Sequence, residues 1–403
     1  MEEVASPSFF AAVGGTCLGV EPDERRRGRP VRVSEVPPVR GGTSSIARIP
    51  SLDGFRALSI ALVIGAHALG TKHLFSVSLL NVTGPIGPLG VQVFFVISGF
   101  LITSQLLGEL DRTGRISLKR FYYRRSLRIF PAFFAFLAVV GLLAWAGILY
   151  VPLKSWLTAA FYLKNFYPDG IWWLGHIWSL SVEEQFYVLW PTCLVLSGRA
   201  WAPAILAVVL VVSPGLRLLA ATSIVHVGTP IVADTLATGC ALAFLLPRLN
   251  ENRSFQRFRR SALLPLLFAL IPVFNAVSAD HPRAFAFAGV AALNVAIALC
   301  LAGYVTEEAA WGFRILNSNP FLFVGKLSYS LYLWQQLFIA RSCPGALAFP
   351  FNVIAAVATA MLSYYCVERY VLNFRDRNHS FATPAPALAG VSEHEFLGQS
   401  PKL

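Results

Sequence analysis

SLDGFRALSIALVIGAHALG, from Ser51 to Gly70, is apolar enough to cross a bilayer, yet it carries three ionisable side chains. Asp53, Arg56 and His67 lie in or beside its apolar run. Charged groups are costly in the hydrocarbon of a membrane, and they usually face the interior of a helix bundle or a water-filled cavity. The stretch therefore predicts a membrane helix that serves chemistry as well as anchoring.

The spacing of these groups places them on one side of that helix. Ten residues separate Arg56 from His67, and eleven steps of about 100° bring both to one face, about 16 Å apart along the axis. Asp53 lies three residues before Arg56 and is placed to pair with it. A simpler interpretation is that Arg56 reaches back to the interface and that His67 is an ordinary residue near the far end. Two polar groups on one otherwise apolar face favour a function.

The composition is that of an integral membrane protein. Of 403 residues, 56% are hydrophobic and 13% are charged, with a mean hydropathy of +0.60, whereas soluble domains are about 25% charged. The net charge of +12 is concentrated in a few segments, so no nucleic-acid partner is expected. Residues 1–48 predict a disordered, basic cytoplasmic arm, residues 49–375 the membrane domain, and residues 376–403 a flexible cytoplasmic tail.

Apolar runs of membrane-spanning length recur from Ser51 onward, and their number, about ten, predicts an all-α polytopic bundle. Lys and Arg concentrate in alternate connections, and the positive-inside rule then places both termini on the cytoplasmic side. The predicted spans are 51–71, 89–107, 131–150, 177–196, 201–220, 230–246, 262–278, 284–304, 321–341 and 346–366.

The segment HIWSLSVEEQFYVLWP, residues 176–191, combines Trp178 with two adjacent acids. In a helix, Glu183 and Glu184 point about 100° apart, so we expect at most one of them to face any given cavity. A position at the membrane interface among aromatic residues is the simpler interpretation. The cost of two acids on a helix entering a bilayer favours an interior role.

The segment FYYRRSLRIFP, residues 121–131, presents a cationic stripe just before the third predicted span. Arg124 and Arg128 are four residues apart, and Arg125 and Arg128 are three apart. Guanidinium groups suit phosphate, which they bind through two parallel hydrogen bonds. The simpler interpretation is a positive-inside anchor.

Several other polar residues lie inside predicted spans. Ser98 and Gly99 are typical of close helix packing more than of chemistry. Asp234 is an isolated intramembrane acid. Tyr329 and Tyr332 are three residues apart and either line a cavity or form part of a packed face.

These motifs, taken in order, resemble the bacterial membrane-bound acyltransferase-3 proteins, which O-acylate sugars. The matching segments are LDGFRALSIALVIGAH, GPLGVQVFFVISGFLI, FYYRRSLRIFP, WSLSVEEQFYVLWP, SYSLYLW and LSYYCVERY. The late motif often reads Tyr-Leu-Trp-His in that family, whereas here it is YLWQQ, and Gln335 removes one candidate proton carrier. We expect no SGNH-type hydrolase domain after the last span, so the expected resemblance is to the stand-alone branch.

The resemblance implies an O-acyltransferase that moves an acyl group, with acetyl expected, from acyl-CoA to a sugar hydroxyl of a surface polysaccharide or a glycosylated metabolite. His67 would be the general base or, equally well, the acyl carrier. Glu183 would orient His67 or bind sugar hydroxyls, with Glu184 in reserve. The donor phosphates would be bound by Arg56, Arg124, Arg125 and Arg128. Support would come from Asp53, Ser98, Trp178, Glu184, Asp234, Tyr329 and Tyr332.

We expect no metal and no permanently bound cofactor, with acyl-CoA, in the first instance acetyl-CoA, as co-substrate. The other expected partners are the lipid bilayer and a carbohydrate or glycoside acceptor, and the expected location is the bacterial inner (cytoplasmic) membrane. The main alternative is a polytopic transporter that uses its intramembrane charges for proton coupling. That class often has internal repeats, and none is evident here. A non-enzymatic scaffold or sensor is the third class.

Overall fold

A computed structural model describes residues 49–69, 86–220, 228–277, 284–306, 312–340 and 348–380. Within these ranges all regular structure is helical and no strand is present, as the composition predicts. The predicted arm lies outside the described residues, as does the predicted tail from residue 381 onward, so both remain predictions.

The chain folds into a series of helices joined by short connections. In chain order the α-helices are α1 (Pro50–Leu69), α2 (Ile86–Thr113), α3 (Leu118–Trp145), α4 (Leu153–Ala160), α5 (Trp172–Gly175), α6 (Ile177–Ala220), α7 (Thr229–Glu251), α8 (Arg253–Arg260), α9 (Leu263–Val277), α10 (Val290–Thr306), α11 (Phe313–Leu316), α12 (Asn319–Phe338), α13 (Phe351–Ser363) and α14 (Arg369–Ser380). A 3₁₀ turn covers Lys164–Phe166, and π-helical turns cover Phe285–Gly289 and Tyr364–Glu368.

Among the described residues, six helices are long and apolar enough to cross a membrane, or up to seven if the bent pair α8 and α9 forms one span. Length and composition alone therefore identify fewer membrane spans among the described residues than the predicted ten or so. Two features account for part of the difference. The long helix α6 is one of the six, although Gly198, with φ 70°, breaks it in two. Helix α1 carries Asp53, Arg56 and His67 and is not among the six.

Helices α2 and α7 cross at close range because glycines face each other. A Cβ atom on Gly99 would collide with the main chain of Leu236, and one on Gly239 would collide with the main chain of Val96. Small residues allow membrane helices to approach in this way. The interpretation of the Ser98–Gly99 segment as a site of close helix packing is thus confirmed at Gly99.

Helix α1 packs against α2 and α12. Ile60 on α1 is completely buried and belongs to an apolar cluster with Phe95 of α2, Phe136 of α3 and Leu331 of α12. This packing surrounds the middle of α1 with side chains from three other helices. Asp53 is 4% exposed and the Arg56 side chain 15% exposed, so these two polar groups of α1 are held inside the protein.

Asp234 is not the isolated acid that the sequence analysis described. It forms a two-bond ion pair with Arg217, with Nη2 to Oδ2 at 2.7 Å and Nη1 to Oδ1 at 3.1 Å. The Arg217 side chain is 0% exposed, and its Nε donates to the Ala286 carbonyl at 2.6 Å. Ser213 and Asn294 donate to the carboxylate. The prediction of a lone acid was wrong because its partner lies on another helical segment, α6.

Candidate active site

A cavity opens between α1, α2, α3, α6 and α12. Its space measures ≈ 730 Å³ when the open solvent at its mouth is included. Apolar and aromatic side chains form much of its wall, and polar groups converge from several helices. Its lining comprises Arg56, Val91, Phe94, Phe95, Ser98, Arg125, Arg128, Ile129, Ser179, Leu180, Glu183, Glu184, Tyr187, Ser328, Tyr329 and Tyr332.

Three guanidinium groups form the cationic part of this cavity: Arg56 from α1, and Arg125 and Arg128 from α3. Arg56 Nη1 donates to Asp53 Oδ1 at 3.2 Å, so the predicted pairing is confirmed. Arg125 lies over the Tyr187 ring, with Cζ 4.2 Å from the ring centroid, and its buried Nε has no hydrogen-bond partner among the described residues. Like charges converge here, which favours binding of an anion.

Arg124, the remaining member of the predicted cationic stripe, does not line the cavity. Its Nη2 lies 3.9 Å from Glu109 Oε2, and its side chain is 40% exposed. Consecutive residues of a helix point about 100° apart, so Arg124 and Arg125 face different surroundings. The structure therefore divides the stripe into a cavity side and an outer side.

The acidic part of the cavity is formed by Glu183 and Glu184, which both line it. The expectation that at most one would face a given cavity was wrong, because a space that extends around one side of α6 can border two consecutive side chains. Ser98 Oγ donates to Glu183 Oε1 at 2.8 Å, and the Tyr187 hydroxyl donates to Ser98 Oγ at 3.2 Å. The sequence analysis missed Tyr187, although its position four residues after Glu183 places both on one helix face.

Two tyrosines of α12 complete the lining. Tyr329 donates its hydroxyl hydrogen to the Ile129 carbonyl at 2.9 Å. The Tyr332 hydroxyl donates to the His176 carbonyl at 3.0 Å and lies 2.5 Å from Ser179 Oγ. Both tyrosines therefore line the cavity, one of the two alternatives that their spacing left open.

Trp178 and Asp234, both predicted as supporting residues, lie outside the cavity lining. The Trp178 ring packs edge-on against Phe95, with centroids 6.1 Å apart. Asp234 is occupied by Arg217. The structure thus gives both residues contacts within the helix bundle. Within the described ranges, no group of His, Cys, Asp and Glu side chains is arranged to hold a metal ion.

His67 also lies outside the cavity lining. Its Nδ1 is 2.8 Å from Gln335 Oε1, and its ring lies against Trp172 with centroids 5.4 Å apart. With the amide oxygen of Gln335 as acceptor, Nδ1 carries the proton and Nε2 is the basic nitrogen. The Gln335 side chain, which departs from the family pattern, therefore fixes the tautomer of the histidine in this structure.

The connection between α4 and α5 contains a buried ion pair. Lys164 Nζ, on a side chain 3% exposed, lies 2.5 Å from Asp169 Oδ1 and 2.7 Å from Ser155 Oγ. Partial burial alone would raise the pKa of Asp169, but hydrogen bonds from Lys164, Ser155 and the Ile171 amide outweigh it and hold the pKa below its usual value. The ionised carboxylate therefore stabilises this connection.

Tyr162 lies in the same connection with a positive φ of 54°, which is uncommon for a residue other than glycine. Its ring stacks on Phe133 with centroids 4.4 Å apart, and Gln185 Nε2 donates to its carbonyl at 2.8 Å. Its buried hydroxyl has no hydrogen-bond partner among the described residues. Burial, with the charge of Glu184, raises the pKa of Tyr162, so the phenol stays protonated and able to donate.

Comparison with known proteins identifies the family. The family model described as an acyltransferase domain, Acyl_transf_3, matches residues 49–367. No solved structure matches the chain.

Curated relatives include three O-acetyltransferases by name. A Staphylococcus aureus protein with the provisional name O-acetyltransferase is 33% identical over 320 residues, covering 71% of this chain and 50% of that protein. The peptidoglycan O-acetyltransferase OatA of Listeria monocytogenes is 28% identical over 364 residues, covering 81% of this chain and 54% of that protein. The O-acetyltransferase OatA of Staphylococcus aureus is 30% identical over 319 residues, covering 71% of this chain and 50% of that protein.

The chain spans about half the length of the curated relatives it matches. The family match covers most of the chain, from the start of α1 through the second π-helical turn. It includes all the helices that form the cavity. The chain belongs to the acyltransferase-3 family.

Proposed function

We propose that this protein is a membrane O-acyltransferase that moves an acyl group, in the first instance acetyl, from acyl-CoA to a hydroxyl group of a carbohydrate. The observation that carries the proposal is a cavity inside the helix bundle that brings three guanidinium groups and two carboxylates together. Relatives named as O-acetyltransferases, one of them acting on peptidoglycan by its name, support acetyl as the group and a sugar as the acceptor.

The arginines supply what the donor requires. Acyl-CoA carries phosphate groups, and guanidinium groups bind phosphate through charge-assisted hydrogen bonds. Arg56, Arg125 and Arg128 face the same cavity, so they form the proposed phosphate site. Arg124 is directed toward Glu109 instead and would act only at longer range. Apolar walls next to the arginines suit the long pantetheine arm.

The chemistry requires one proton transfer for each acyl group moved. As the acceptor oxygen attacks the thioester carbonyl, its C–O bond forms, the C–S bond breaks, and the hydroxyl proton ends on the thiolate. His67 is proposed as the base that holds this proton in transit. A route in which His67 Nε2 itself carries the acyl group, with a second attack by the acceptor, is equally compatible with its tautomer. Glu183 is proposed to bind acceptor hydroxyls, with Glu184 beside it.

The proposed topology is a bundle of about ten spans in the bacterial inner membrane, with both termini on the cytoplasmic side. Each of the predicted spans contains a helical segment, and Gly198 divides α6 into two parts. Both observations support this topology. Basic residues of α8, at a 73° bend to α9, would then lie at the cytoplasmic interface. In this arrangement the surrounding helices form the walls of the cavity, and its mouth is open.

The test compares glycans and small glycosides by mass between cells that carry the native protein and cells that carry His67→Ala at equal membrane abundance. We expect an acyl-sized mass difference, 42 Da for acetyl as the mass of the group requires, on one class of carbohydrate. Identical masses with native protein present would overturn the proposal. A transporter, by contrast, would move its substrate across vesicles that contain no acyl donor.

A further inference from the structure

His176 is a buried histidine that the proposed chemistry does not yet use. It follows α5 directly and is 4% exposed. Both ring nitrogens are buried, and neither has a hydrogen-bond partner among the described residues. The main chain of Leu333 lies near the ring as well. Buried polar groups are almost always paired, so two unpaired nitrogens on one ring require an explanation.

The surroundings of His176 hold its ring in a defined orientation. The ring packs edge-on against Phe136 and Tyr332, with centroids 5.5 Å and 5.4 Å away. Its carbonyl accepts hydrogen bonds from the Tyr332 hydroxyl at 3.0 Å and from Ser179 Oγ at 3.2 Å. Aromatic contacts and main-chain hydrogen bonds thus fix the residue while its nitrogens stay unpaired. Packing alone would be served as well by phenylalanine.

The position of His176 connects two parts of the molecule. On one side, its neighbours Tyr332 and Ser179 line the cavity. On the other side, Trp172 contacts the His67 ring, and His176 follows Trp172 by four residues, about one helical turn or 6 Å along the chain axis. His67 is close enough to interact electrostatically with His176. The titratable groups facing His176 are therefore His67 from α1 and Tyr332 from α12.

We propose that His176 is a proton-relay residue between the cavity and His67, an inference that rests on the proposed acyl transfer. His67 does not line the cavity, so its role as a base requires a path for the proton. A neutral imidazole accepts a proton on one nitrogen and releases one from the other. Water molecules bound to the two ring nitrogens of His176 would satisfy them and complete the path.

The relay conserves protons. When the acceptor C–O bond forms, the hydroxyl proton passes to one nitrogen of His176, and the other nitrogen releases a proton to Nε2 of His67. When the C–S bond breaks, the proton returns along the same path to the thiolate. No proton is gained or lost over the cycle, and no oxidant, reductant or metal is required.

The experiment measures single-turnover acetyl transfer in lipid nanodiscs, from acetyl-CoA to the acceptor identified by the glycan comparison. His176→Phe keeps the aromatic packing and removes both nitrogens, and His176→Gln keeps polar atoms without a proton relay. Phe136→Leu is the matched control, because it alters the same aromatic contact without removing a nitrogen. The affinity for CoA, the unfolding temperature and the solvent deuterium isotope effect are measured for each variant.

We expect both His176 variants to lose about 100-fold or more in transfer rate, with CoA affinity and unfolding temperature close to those of the native protein. We expect Phe136→Leu to retain the native rate within about threefold, and imidazole added to His176→Gly to restore part of the rate. A His176→Phe protein that transfers acetyl at the native rate would overturn the relay. So would a rate loss fully explained by lost folding or lost CoA binding. If the native protein itself transfers nothing from acetyl-CoA, the proposed function fails. If the native protein transfers acetyl and His176→Phe does so equally fast, only the relay fails.

Discussion

His67 Nδ1 and Gln335 Oε1 lie 2.8 Å apart, although the two residues are 268 positions apart in the chain. This hydrogen bond joins α1 to α12, and Gln335 is completely buried. Glutamine does not titrate in water, so it acts here by orientation and not as a proton carrier. The amide oxygen keeps the proton of His67 on Nδ1 and leaves Nε2 as the basic nitrogen, which is the atom that the proposed transfer would use.

Replacing Gln335 with leucine should lower acyl transfer about 10- to 100-fold, because the tautomer of His67 is no longer fixed and only part of the base contribution survives. The measurement is kcat for acetyl transfer in nanodiscs, with CoA affinity recorded alongside. Gln335→Glu keeps an acceptor oxygen toward Nδ1 and should retain most of the activity. Equal rates for Gln335→Leu and the native protein would show that this hydrogen bond has no part in the reaction.

The two cavity arginines of α3 should both contribute to donor binding. Arg125→Gln and Arg128→Gln should each weaken CoA binding about 10- to 100-fold, since a hydrogen bond to a charged group contributes about 1.5–3 kcal/mol. Binding is measured by titration with a non-hydrolysable acyl-CoA analogue at two salt concentrations. The loss should shrink at high salt, where charge interactions are screened.

Arg124→Gln is the matched control for the cavity arginines. It removes the same charge one residue away from Arg125, but its side chain lies beside Glu109 at 3.9 Å and outside the cavity. We expect a change in Kd of less than about threefold, from long-range electrostatics alone. An Arg124→Gln loss as large as that of Arg125→Gln would contradict the division of the stripe.

The sequence predicted the helical class, the pairing of Asp53 with Arg56 and the position of Arg125 and Arg128 on one side of α3, because regular helix geometry determines which residues share a face. It could not predict contacts between distant helices. The Arg217–Asp234 pair and the Gln335 contact to His67 depend on tertiary packing that no local period reveals. Glu184 was misjudged for the same reason, since the shape of the cavity and not the angle on the helix decides which side chains it borders.

The buried ion pair of Arg217 and Asp234 should contribute to stability and not directly to chemistry. Asp234→Asn leaves the fully buried guanidinium of Arg217 without a counter-charge, and we expect a destabilisation of about 3–5 kcal/mol. Thermal unfolding in nanodiscs measures this loss, and acetyl transfer per folded molecule should be unchanged.

Replacing both partners provides the control for that pair. Arg217→Leu combined with Asp234→Leu removes both charges, so the double variant should be more stable than Asp234→Asn alone. A double variant less stable than the single one would contradict this stability argument, and a single variant that is fully stable but inactive would assign the pair to chemistry instead.

The Lys164–Asp169 pair should make stability depend on pH in acid. The pKa of Asp169 is lower in the folded protein than its usual value, so the folded state favours the ionised form. The stabilisation is fully present above the unfolded pKa, about 3.9, and is lost as pH falls through the lower folded value. Asp169→Asn should therefore lower the unfolding temperature at pH 7, with a difference that disappears in strong acid.

Lys154→Met is the control for this pH dependence, because Lys154 is exposed and contacts only the Tyr167 ring, with Nζ 4.3 Å from the centroid, in the part of the chain that the structure describes. It should change stability by less than about 1 kcal/mol. If the unfolding temperature depends on pH in the same way in the native protein and in Asp169→Asn, the Lys164–Asp169 pair is not the cause of the acid dependence.

The proposed function is acyl transfer by way of His67. Its most direct test is transfer of ¹⁴C-acetyl from acetyl-CoA to a carbohydrate acceptor by the purified protein in nanodiscs, with His67→Ala as the comparison and mass analysis of acid-quenched protein to detect acyl-histidine. If His67 has this role, labelled acceptor forms with the native protein and the transfer rate falls about 100-fold or more in His67→Ala. Transfer by His67→Ala at the native rate would contradict it.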